Sequence, residues 1–87
     1  MTPAQLYNRG VLDARDTYEW VVDPMLPVET NVSAMRKVPM PSDEDSPHYQ
    51  GYRDAMEALV DRLQANPDGI SEISLDAVLA SLMQAED

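Results

Sequence analysis

Histidine, carboxylate and hydroxyl side chains carry most acid–base and nucleophilic chemistry, so their spacing is read first. The chain has one histidine, His48, and no cysteine. His48 follows Pro47 at a helix start, with Ser42, Asp45 and Ser46 just before it. A nucleophile, a base and an orienting carboxylate rarely converge from one short loop. His48 is therefore expected to be a surface residue in a first helical turn. One histidine and no thiolate leave no multi-His or Cys metal site. Asp54, Glu57 and Asp61 follow one another at helical spacings of three and four. Such a face can hold a divalent cation or act as acid and base, but it lacks the oxygen-rich loop that strong Ca²⁺ sites use.

Asn66-Pro67-Asp68-Gly69-Ile70-Ser71 has the look of part of an EF-hand loop. With Gly69 in the sixth place, Gln64 and Leu75 fall at the first and twelfth, where Asp and Glu are required. It reads instead as a turn in which Pro presets φ and Gly permits a positive one. Gly10, Gly51 and Gly69 are isolated, so no phosphate-cradling loop exists. Arg36-Lys37 is the only basic pair, and reads as a solvated turn rather than a phosphate site. The residues assign no catalytic group, no metal and no cofactor, and the expectation is a non-enzyme.

The charge is the one non-generic feature. Lys plus Arg is 6 against 16 Asp plus Glu, a net charge of −10. Residues 1–42 carry five acids and four bases, and residues 43–87 eleven acids and two bases. A chain this acidic repels phosphate, so direct contact with nucleic acid or an anionic membrane is not expected. Its carboxylates can instead stand where phosphates would, in a cationic groove of another protein. The acids expected to do so are Asp43, Glu44, Asp45, Asp54, Glu57, Asp61, Glu72 and Asp76, with Trp20 as an apolar contact. Small acidic Cys-free chains of this kind are typical of phage- or mobile-element-encoded inhibitors, including anti-restriction and anti-CRISPR proteins. That analogy is one of type and rests on no particular residues.

The expected function is thus an acidic protein-binding module that blocks the nucleic-acid-binding surface of a basic partner. A second reading is a small adaptor that binds through apolar Tyr, Met and Trp side chains, its acidity serving only solubility. A third, from another class, is a small enzyme or metal binder using His48 and the Asp54/Glu57/Asp61 face. A homodimer is compatible with all three. The amino terminus has no basic stretch followed by an apolar one, and no apolar run approaches a membrane span. The expected location is cytoplasmic, or the host cytoplasm if the chain is phage-encoded.

These residues must be positioned by helices. Thr2 and Pro3 suit the cap and first position of a helix over about 3–22, with Tyr7, Val11, Ala14, Tyr18 and Val21 on one face. Arg9 with Asp13, and Arg15 with Glu19, are i,i+4 pairs on the wet side. Gly10 weakens that helix or permits a close crossing. Trp20 lies off the stripe, on the Leu6–Gly10–Asp13–Thr17 flank, and is expected to pack under the following loop; left exposed, it would mark a partner contact. Asp23-Pro24 stops the helix.

Residues 23–46 hold four of the seven prolines, with a fifth at Pro47, and read as a long loop. Within it, Asn31 can cap a short helix over Val32 to Val38. Ser46 caps, and Pro47 starts, a helix to about residue 65 with the stripe Tyr49, Tyr52, Met56, Leu59, Val60 and Leu63. A last helix, over about 74–85, is capped by Ser74 or Ser71 and presents Leu75, Val78, Leu79, Leu82 and Met83. Its end, from Gln84, is expected to fray. The fold class is all-α: one domain over 1–87, a small bundle of three main helices with a Pro-rich central loop carrying a short helical element. The turn at residues 66–69 makes the last two helices neighbours.

Overall fold

The computed structural model describes residues 1–65 and 72–85. Among them the fold is all-α: α1 (Pro3–Val21), α2 (Val28–Arg36), α3 (Pro47–Ala65) and α4 (Glu72–Ala80), with no strand. The turn at 66–69 and the Ser71 cap lie outside the described residues.

Helix starts follow local chemistry. The Thr2 hydroxyl accepts from the Gln5 N–H at 3.2 Å, and the Gln5 side chain accepts from the Thr2 N–H at 2.9 Å. This closes a reciprocal cap in front of Pro3. Ser46 caps α3 from one side only, its hydroxyl accepting from the Tyr49 N–H at 3.1 Å. The central helix differs from expectation. It begins at Val28, four residues before the expected start, because the Pro27 carbonyl accepts from Thr30 and Asn31. Asn31 is not its cap. It lies inside the helix and is buried. Val32 and Met35 are buried and Val38 half-buried, as their spacing implies.

The last helix begins at Glu72, so Ser74 sits within it rather than capping it. The helix stops at Ala80 rather than near residue 85. The segment beyond it is held by Asn8, a buried side chain on α1. Its amide donates to the Gln84 carbonyl and its oxygen accepts from the Gln84 N–H, both at 2.7 Å. Gln84 is therefore held, not frayed.

The core is one cluster. It joins Tyr7, Val11, Ala14 and Tyr18 of α1 with Tyr52, Ala55, Met56, Leu59, Val60 and Leu63 of α3. Val32 and Met35 of α2 and Leu75 and Leu79 of α4 complete it, with Val78 and Leu82 half-buried and Met83 exposed. The most extensive contact is α1 against α3, running in opposite senses. Tyr7 meets Asp54, and Asp13 meets His48. Two glycines let the backbones touch. A Cβ on Gly10 would strike the His48 carbonyl oxygen and lie 2.7 Å from the Tyr52 nitrogen. A Cβ on Gly51 would strike the Tyr7 carbonyl oxygen.

Candidate partner-binding surfaces

Trp20 is 90% exposed, so it does not pack under the loop. The flank it shares with Gly10, Asp13 and Thr17 is indeed covered, by the start of α3. His48 reaches Asp13, and the Tyr52 hydroxyl reaches Thr17 at 2.9 Å. Since α3 begins at Pro47, opposite Asp13, it ends before it can shelter a residue seven positions further along α1. Met25 is 88% exposed in the turn that follows, and Leu26 and Leu12 are about half exposed. Asp16, Glu19 and Asp23 are exposed around them.

The Asp23 turn is built rather than loose. Asp23 Oδ1 accepts from the Met25 N–H at 2.9 Å. The buried Asn31 amide grips the Asp23 backbone from α2, accepting from its N–H at 3.1 Å and donating to its carbonyl at 2.9 Å. Among the described residues, no buried side-chain nitrogen or oxygen lacks a partner. Met25 is therefore presented from a fixed backbone rather than a slack one.

The expected acidic residues divide into two kinds. Asp43, Glu44 and Asp45 are exposed between α2 and α3, and Glu57 and Asp61 are exposed on α3. Asp54 and Asp76 have partners within the chain. Asp54 Oδ2 accepts from the Tyr7 hydroxyl at 2.7 Å, and Asp54 Oδ1 from Arg53 at 3.3 Å. Asp76 pairs with Arg15 at 2.9 Å across the α1–α4 contact. Arg15 also reaches Glu19 at 3.7 Å, the i,i+4 pair expected from spacing. Glu72 lies in α4, and its side chain is outside the described part. The Tyr7–Asp54 and Arg15–Asp76 bonds were not legible in the sequence, because each joins residues far apart along the chain.

Tyr7 shows the electrostatic consequence. Burial, then the hydrogen bond to Asp54 and that carboxylate's charge, push its pKa from 10.0 to about 12. Tyr18 is raised by burial. Both phenols stay protonated at neutral pH, Tyr7 as a hydrogen-bond donor.

His48 sits in the first turn of α3, part-buried, with Nε2 at 2.6 Å from Asp13 Oδ2. Asp13 meets His48 across the helix crossing instead of pairing with Arg9. Among the described residues, no three His, Asp or Glu side chains are grouped to hold a metal ion. None of their helices is long and apolar enough to cross a membrane.

An open groove of about 420 Å³ lies between α3 and the end of α2. Met35, Val38, Met40, Met56 and Val60 line it, with Arg36 from α2 and Arg53, Glu57 and Asp61 from α3. Its size is that of a ligand cleft, and its thioether lining is adaptable. No protein-family model, curated protein or solved structure matches this chain.

Proposed function

We propose that this chain is a non-enzymatic, acidic protein-binding module that occupies the basic, nucleic-acid-binding surface of a partner and so inhibits it. The observation that carries the reading is the excess of exposed acid. Asp43, Glu44 and Asp45 form an exposed run, and Glu57 and Asp61 add to it on α3, within a net charge of −10. Such a surface accelerates encounter with a cationic groove and loses affinity as salt screens it.

The test is recovery of bound proteins from a cell lysate on the immobilised chain, at low and high salt and with competing DNA. Nucleic-acid-binding proteins should be retained, then released by either treatment. Reversing Glu57 and Asp61 to Lys should abolish retention while leaving the fold intact. Asp54 is spared in that variant because it holds Tyr7.

A second reading, the adaptor, is favoured by the methionine-lined groove and by exposed Trp20. It requires retention that ignores both salt and DNA. That outcome would overturn the acidic reading.

A further inference from the structure

We propose that the outer face of α1, from Leu12 to Trp20 and on to Met25 and Leu26, docks a basic amphipathic helix of the partner. The proposal rests on the acidic reading above and names the element that the partner contributes. The four apolar side chains are exposed at 45%, 90%, 88% and 46% in that order. Leu12 and Trp20 are two turns apart, about 12 Å along the axis. Trp20 lies opposite the Tyr7–Val11–Ala14–Tyr18 line that faces the core, and Leu12 lies about a third of a turn from that line. Asp16 falls between them, with Glu19 and Asp23 alongside, and all three are exposed. Arg15, the nearest base, is engaged with Glu19 and Asp76. Arg9 lies a turn before Leu12.

Charge decides among occupants. A second copy would bring these carboxylates against their own kind, and an anionic lipid surface would meet the same repulsion. A helix with Leu or Val in one stripe and Lys or Arg beside it satisfies both features. Its apolar stripe covers Trp20 and Leu12, and its cations meet Asp16, Glu19 and Asp23. Helices that enter nucleic-acid grooves carry such basic flanks. Tryptophan at the centre of a contact is a frequent energetic anchor.

The chain has one tryptophan, so replacing it with 5-fluorotryptophan gives a single fluorine NMR signal at the proposed site. The probe is a synthetic Leu/Lys peptide of about five turns, patterned at helical spacing, with a scrambled peptide of the same composition as control. The patterned peptide should shift the fluorine signal saturably and bind at least about tenfold more tightly than the scrambled one. Trp20→Ala should lose about tenfold or more in affinity for labelled peptide, with an unchanged melting temperature. Equal binding of both peptides, with no fluorine shift and no effect of Trp20→Ala, would overturn the α1 site and leave the general acidic reading standing. A fluorine shift by the patterned peptide that is indifferent to salt would overturn the acidic reading and the basic helix with it. A concentration-dependent shift of the chain alone would identify a second copy as occupant and overturn the proposal.

Discussion

Tyr7 ties two helices through one proton. Its hydroxyl donates to Asp54, and its pKa is raised from 10.0 to about 12. The folded state therefore favours the protonated phenol more than the unfolded chain does. Stability from this group is fully present below pH 10 and is lost as pH rises from about 10 to about 12. Tyr18 is raised as well and acts in the same direction. Tyr7→Phe should cost about 1–2 kcal/mol at neutral pH, since Arg53 still serves Asp54. It should also flatten the alkaline limb of unfolding; urea titrations of both proteins across that pH range check it. An equal alkaline loss in both proteins would assign the limb to other groups. At this scale the sequence was a poor guide. Asn8 and Asn31 each hydrogen-bond to the backbone of another segment, and nothing in a lone helical asparagine announces its partner. Trp20 failed as a buried residue for a different reason: the flank was right, but the start of α3 relative to α1 is a tertiary fact.

The helices themselves were legible, because caps and stripes are local. Thr2-Pro3 and Ser46-Pro47 set the starts of α1 and α3, and most residues of the stripes at spacings of three and four became the core, with Val21 and Tyr49 half-buried at its edge and Met83 exposed. The start of α2 was misread because Asn31 is a good cap by type, whereas its side chain is committed to Asp23. Gly10 was legible as a possible close crossing, but Gly51 became meaningful only beside Tyr7. Both positions make one prediction. In an isolated helix, Gly→Ala is favourable by about 1 kcal/mol. Here the added methyl group meets carbonyl oxygen of the facing helix, and backbone cannot rotate away as a side chain would. Gly10→Ala or Gly51→Ala should instead destabilise by about 1–3 kcal/mol or more, as overpacking does. Chemical denaturation measures it. Substitutions that stabilise by the propensity amount would show that the helices separate freely.

The molecule as a whole carries ten more negative than positive charges. Its exposed ion pairs, such as Arg15 with Asp76 and Glu19, contribute little each. Self-repulsion summed over many carboxylates opposes compaction and is long-ranged at low salt. Raising ionic strength from about 0.01 M to about 1 M shortens the screening length from about 30 Å to about 3 Å. The melting temperature should therefore rise with added salt. Binding to a basic partner should weaken over the same range, because that attraction is screened too. The two responses have opposite signs, which makes them separable. Salt that loosens the complex cannot be acting by unfolding this chain if the same salt raises its melting temperature. Calorimetry of the free chain beside a binding titration, at matched salt, provides the pair of curves. A melting temperature that falls with salt would mean that the ion pairs outweigh the net charge. The acidity would then no longer count as a cost that the fold carries for the sake of binding.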